Sequence, residues 1–132
     1  MIRAATRWLT ARIERFSQLG DDLVRWAAAR LEDSHGTHSV SELHRESGYG
    51  ATRFNQRFKD ELGVTPKQFA RLVRFRAALD GLERSRSLAE LALSLGYADQ
   101  SHMNRDFRLL GDTTPTEVLK RSYSSGLTIA VE

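Results

Sequence analysis

Residues 41–69 read SELHRESGYGATRFNQRFKDELGVTPKQF, and residues 88–118 read LAELALSLGYADQSHMNRDFRLLGDTTPTEV. Each stretch begins with a short helical pattern and a Gly-Tyr turn. A longer amphipathic helix with a central Phe follows, then a glycine, then Thr-Pro opening another helix. The Asn-x-x-Phe pair recurs 49 residues apart, as Asn55/Phe58 and Asn104/Phe107, and Thr65-Pro66 recurs as Thr114-Pro115 at the same interval. Recurrence at a fixed interval marks one supersecondary unit used twice. Two helices across a tight glycine turn make a helix-turn-helix. The sequence therefore predicts an all-α fold of two helix-turn-helix subdomains, at about 40–62 and 88–110, joined by a long linker helix at about 66–84.

Local chemistry sets the boundaries. Ser39-Val40-Ser41-Glu42 and Ser87-Leu88-Ala89-Glu90 are capping boxes, in which the serine oxygen takes an orphan amide and the glutamate reaches back. Thr65-Pro66-Lys67-Gln68 and Thr114-Pro115-Thr116-Glu117 add proline at the first helical position, where no amide is needed. Gly63 ends the longer helix of the first motif, and Asp99 caps that of the second. Phe54, Phe58 and Leu62 fall on one face, as do Met103, Phe107 and Leu110. Phe69, Leu72, Val73, Ala77 and Leu79 are expected to face inward from the linker helix.

Upstream, Ile2, Ala5, Leu9, Ile13 and Phe16 repeat at helical spacing and predict an extra N-terminal amphipathic helix over 2–18, within a segment 1–20. Asp21 or Asp22 caps a second helix to about Leu31, with Leu23, Val24, Ala27, Ala28 and Leu31 inward. The body of the fold is expected over 21–123. The remainder, 124–132, is Ser/Gly-led and reads as a flexible tail.

Composition bounds the function. At 132 residues, with 40% hydrophobic and 28% charged residues, the chain is one domain or two small ones that share a helix. It has no cysteine, so neither a disulfide framework nor a thiolate zinc site is available. No apolar run approaches the ~20 residues of a membrane span. The net charge is +3, and it is uneven: residues 35–84 hold nine basic and six acidic side chains, whereas 85–132 hold five and six. The basic residues are mostly arginine, whose planar fork matches phosphate and guanine.

A doubled helix-turn-helix is a shape for reading DNA. Its second helix lies in the major groove and must carry amide, guanidinium and hydroxyl groups that match base edges. Thr52, Asn55 and Gln56 share one face opposite Phe54 and Phe58. Gln100, Asn104 and Arg105 do the same opposite Met103 and Phe107. These six are the candidate base readers. Arg53, Arg57, Lys59, Arg71, Arg74 and Arg108 are candidates for phosphate contact. A linker helix from Pro66 to Arg84 would be about 28 Å long at 1.5 Å per residue, against roughly 34 Å between successive major grooves. Two readers in neighbouring grooves would then need no dimer.

Catalysis finds no support. Asp99, Ser101 and His102 crowd one helical turn and make no triad, and His35 and His38 lie in a loop without companion ligands. No catalytic residue, metal site or cofactor is assigned.

At these residues the chain resembles the DNA-binding domain of the AraC/XylS family of bacterial transcription regulators. The resemblance covers about 22–123. It rests on Leu62-Gly63-Val64-Thr65-Pro66 after Phe58, on the linker helix, and on the second motif: Leu88-Ala-Glu-Leu-Ala92, Gly96-Tyr-Ala-Asp-Gln-Ser101, Arg105-Asp-Phe107 and Thr114-Pro115. It implies a stand-alone regulator, an activator acting on RNA polymerase recruitment and binding double-stranded DNA as a monomer. The same six residues are its implied base readers, and Ala51, Ser101 and His102 stand where flanking contacts would fall. It also implies a bacterial cytoplasmic, nucleoid-associated protein with no membrane partner.

Three departures stand out. His44 occupies the slot that Ala92 fills in the second motif. Gly111 comes one residue early, leaving Asp112 where the first motif has Gly63. Asp106 and Asp112 are expected to place negative charge near the second DNA face, so the first motif should supply most of the electrostatic affinity. The apolar stripe of 2–18 leaves a rival reading open: a protein-interaction module or antagonist that dimerises, through that helix, with another regulator.

Overall fold

The computed structural model describes residues 7, 8, 10, 11, 14 and 20–125. Within 20–125 it has seven helices: α1 Asp22–Asp33, α2 Val40–Ser47, α3 Ala51–Leu62, α4 Pro66–Gly81, α5 Leu88–Ser94, α6 Gln100–Gly111 and α7 Pro115–Ser125. No strand occurs among the described residues. Of the expected helix 2–18, Arg7, Trp8, Thr10, Ala11 and Glu14 are helical. The rest of that helix lies outside the described residues, as does the expected tail from residue 126.

The capping chemistry forms largely as read. Asp21, not Asp22, caps α1, its Oδ1 accepting from the Leu23 N–H at 2.9 Å. The hydroxyl oxygens of Ser39 and Ser87 accept from the Glu42 and Glu90 amides at 3.2 and 3.1 Å. The Thr65–Gln68 box closes in both directions: Gln68 N–H donates to Thr65 Oγ1 at 3.2 Å, and Thr65 N–H to Gln68 Oε1 at 3.0 Å.

The chain divides into two compact units between Val73 and Arg74, inside α4. The first unit holds α1, α2, α3 and the start of α4. Its core contains Val24, Ala27, Ala28, Leu31, Leu43, Phe54, Phe58, Leu62, Phe69 and Val73. Phe58 meets Phe69 edge-on at 5.5 Å between ring centres, a geometry worth ~0.5–1.5 kcal/mol beyond the burial itself. His44 packs its ring 5.9 Å from Phe54. The larger group in the Ala92-equivalent slot is thus accommodated against the aromatic core. Trp8 and Trp26 are half-buried on the same cluster.

The second unit holds the end of α4 with α5, α6 and α7. Phe75, Ala78, Leu79, Leu82, Leu91, Ala92, Tyr97, Met103 and Phe107 are among its core residues. Phe75 and Phe107 form its central edge-on pair at 4.9 Å. The inward set expected for α4 is corrected here. Phe69, Val73 and Leu79 are buried, Leu72 and Ala77 are only half-buried, and Ala70, Phe75, Ala78 and Leu82 are buried in addition. One helix serving two cores does not carry a single apolar stripe.

The linker helix also stops short, at Gly81 rather than Arg84. Glycine is a poor helix former, and a Cβ on Gly81 would lie 2.8 Å from Leu91 Cδ1, so a larger residue would have to displace the end of that side chain. Gly81 O accepts from the Arg84 N–H at 3.2 Å, and side chains add to the closure, Ser85 Oγ donating to Gly81 O and Arg84 Nη2 to Asp80 O, both at 2.9 Å. Ser122 Oγ donates to Glu83 Oε1, fastening α7 to the turn that follows α4. No helix among the described residues is long and apolar enough to cross a membrane.

Candidate nucleic-acid interface

The first motif is α2 and α3. Gly48 ends α2 in the left-handed region at φ 76°, and the chain turns through Tyr49 into Gly50, which stands at the N-cap of α3. Gly50 has no side chain, so no side-chain oxygen takes the first-turn amides of α3. Those N–H groups and the positive end of the helix dipole are available to an anion. Phe54, Phe58 and Leu62 anchor α3 to the core. The opposite face is exposed: Thr52, Asn55 and Gln56 all lie in solvent, with Ala51, Arg53 and Lys59 around them. Gln56 Nε2 donates to Asp60 Oδ1 at 2.7 Å, which steadies that amide one turn back along the helix.

Arg57 lies elsewhere. Its guanidinium pairs with the Asp21 carboxylate, Nε donating to Oδ2 at 2.7 Å and Nη2 pairing with the same oxygen. Burial works to raise the Asp21 carboxyl, but hydrogen bonds from Arg57 and Leu23 and the Arg57 charge outweigh it and hold it below its ordinary value. The Asp21 hydrogen bond in turn raises Arg57 above the usual guanidinium range. Arg57 Cζ also sits 4.8 Å from the centre of the Tyr49 ring, and Arg53 Cζ sits 5.3 Å from the same centre. The sequence marks Asp21 as a helix cap and Tyr49 as a turn residue, but neither role points to their contact with Arg57. The pair spans 36 residues, beyond any helical period.

The second motif is α5 and α6. Asp99 caps α6, its Oδ1 accepting from the His102 N–H at 2.8 Å. A carboxylate thus stands where α3 has only glycine. His102 Nδ1 accepts from the Ala98 N–H at 3.3 Å, and the ring stands edge-on to Tyr97 at 5.1 Å, so this side chain fixes the turn. Met103 and Phe107 are buried. On the other face Ser101, Arg105 and Arg108 are exposed, while Gln100 and Asn104 are half-buried. Asn104 Oδ1 is inside, without a hydrogen-bond partner. A bidentate pair with adenine needs both polar atoms of the amide outward, so in this geometry Asn104 offers at most one.

The expected charge of the second motif is corrected at one position. Asp106 is 2% exposed and belongs to the interior, whereas Asp112 is exposed. Of the linker arginines, Arg71 and Arg74 are half-buried, and Arg74 Cζ lies 5.2 Å from the Tyr97 ring centre.

Comparison with known proteins agrees with this architecture. A family model described as a helix-turn-helix domain matches residues 43–121. The chain is 28% identical over 98 residues to the probable transcription factor PqrA of Proteus vulgaris, covering 74% of this chain and 80% of that one. It is 32% identical over 79 residues to the probable transcriptional regulator LumQ of Photobacterium leiognathi, covering 59% of this chain and 32% of that one. It is 28% identical over 102 residues to the putative HTH-type transcriptional regulator YkgA of Escherichia coli K12, covering 76% and 41%. The chain therefore aligns with less than half the length of the last two. No solved structure shows a significant match.

Proposed function

This chain belongs to the AraC-type helix-turn-helix family, and we propose that within it the protein is a sequence-specific DNA-binding transcription regulator whose helices α3 and α6 each enter a major groove. The observation that carries this reading is the doubled surface. Two helices at matching places in the repeat each bury a phenylalanine on one face and carry amide and guanidinium groups on the other. Thr52, Asn55 and Gln56 read one element, and Arg105 leads the reading of the second, with Gln100 and Asn104 beside it. Arg53, Lys59 and Arg108, with the uncapped amides of α3, hold the phosphates. The names of the related regulators support the regulatory role. Its finer form is an activator that binds DNA as a monomer, on the nucleoid, and recruits RNA polymerase.

The test is selection of the purified protein against a randomised duplex pool at two salt concentrations. Two short enriched elements about one helical turn apart, with affinity falling steeply as salt rises, are expected. Salt-sensitive binding without an enriched sequence would leave a nonspecific binder. An absence of binding at low salt would favour the protein-interaction module.

A further inference from the structure

Three arginine-rich contacts meet beside the reading face of α3, and they do not have the same role. Arg53 and Arg57 both bring their guanidinium carbons within 5.3 Å of the Tyr49 ring centre. Two cations sharing one ring would repel. Here one of them is neutralised locally: Asp21 takes the Nε and Nη2 of Arg57 on a single carboxylate oxygen and leaves its other oxygen on the Leu23 amide. The Arg57 and Asp21 side chains are 29% and 15% exposed. Arg53 is exposed, and among the described residues its one described partner is the Tyr49 ring. It lies one residue past Thr52 and three before Gln56, on the flank of the reading face where a phosphate would run.

We propose that Asp21, Arg57 and Tyr49 form a brace that positions Arg53 as a DNA phosphate contact of α3, with Arg57 itself held off the DNA. This rests on the DNA-binding reading above and deepens it. Asp21 and Arg57 fix the ring from one side, and the ring holds Arg53 in a narrowed set of rotamers. Binding then forfeits less side-chain freedom than it would with a loose arginine. Arg53 is the contact; the other three are positioning residues.

The two roles separate in the salt dependence of binding. Each phosphate neutralised on B-DNA contributes about 0.9 to the slope of log K against log salt. On the duplex enriched by selection, Arg53→Gln is expected to reduce that slope by about 0.9. Arg57→Gln is expected to weaken binding by roughly threefold with the slope unchanged, as a lost preorganisation would. In the Arg53→Gln background, Arg57→Gln should then have no further effect. Arg57→Lys, which keeps the charge, serves should Arg57→Gln fold poorly, and it too is expected to leave the slope unchanged. A slope reduced by Arg57→Gln as much as by Arg53→Gln would overturn the proposal, because Arg57 would then touch phosphate. An unchanged slope in Arg53→Gln, or additive effects of the two substitutions, would overturn it as well. Wild-type protein that binds no duplex sinks the DNA reading instead. The brace alone is then read from thermal unfolding, where Asp21→Asn and Arg57→Gln must be non-additive.

Discussion

Asp112 stands at the end of α6 in the left-handed conformation that Gly63 adopts at the end of α3, at φ 51° against 79°. Both close their helix by donating the cap N–H backwards, Gly63 to Lys59 O at 2.7 Å and Asp112 to Arg108 O at 3.1 Å. Glycine enters this region freely, whereas a residue with a Cβ is strained there, and a carboxylate also opposes the negative end of the helix dipole. Asp112→Gly is therefore expected to stabilise the fold by about 1 kcal/mol, even though glycine gains freedom in the unfolded chain. Thermal unfolding of the variant should show a rise of a few degrees. Gly63→Ala is the control. A Cβ there would touch nothing within 4 Å, so its expected cost of about 1 kcal/mol is purely conformational. A stability unchanged by either substitution would contradict this account of the two helix ends.

Gly50 sets stability against binding. It has φ −68° and open space around a would-be Cβ, so an aspartate fits. As an N-cap it would accept from the first-turn amides of α3 and complement the dipole, a gain of roughly 0.5–1 kcal/mol in unfolding free energy. The same carboxylate would occupy the amides assigned to phosphate and repel the DNA backbone. Gly50→Asp should raise the melting temperature and weaken duplex binding by about tenfold. If binding survives intact, the N-terminus of α3 is not a phosphate contact.

The Asp21 carboxyl supplies an acid limb to stability. Its folded value is depressed, so its contribution is fully present above the unfolded value, near 4, and is lost as pH falls through the folded value. Asn keeps the cap on Leu23, since its carbonyl accepts as well as a carboxylate does. Asp21→Asn should thus be less stable than wild type at pH 7 and converge on it as the pH falls through the depressed folded value. Urea unfolding of both proteins from pH 7 to pH 2.5 decides it; a constant gap would mean that the charge is not what matters.

How much of this was legible in the residues depends on the range of the interaction. Ser39, Ser87, Thr65 and Asp99 cap within three residues of themselves, and their helices start where the pattern says. Phe58 and Phe107 declare themselves by a four-residue period and by recurrence. The Asp21–Arg57 pair is a tertiary contact over 36 residues, and no periodicity announces it. The linker pattern misleads because its two halves serve different cores: Phe69 and Val73 belong to one, Phe75 and Leu79 to the other. Asp106 reads as surface by type and lies inside. On the candidate site, the positions along α3 and α6 were readable from the repeat, but the inward turn of the Asn104 carbonyl was not.

That carbonyl distributes the reading of the second element unequally. With Asn104 Oδ1 inside and without a partner, its two-point match to adenine is not on offer, and of the three readers Arg105 is the fully exposed one, able to make a bidentate contact to guanine O6 and N7. Arg105→Ala is accordingly expected to relax discrimination at one base pair by about 1–3 kcal/mol, roughly 5- to 150-fold, while costing less on random duplex. Asn104→Ala is expected to change the preference at its own base pair by less than about fivefold, the scale of a single hydrogen bond. Competition binding of both variants against the enriched duplex, its single-pair mutants and random DNA separates these outcomes. Equal losses on all duplexes for Arg105→Ala would reduce that side chain to a phosphate contact, and a larger specificity loss from Asn104→Ala would require the amide to turn outward on the DNA.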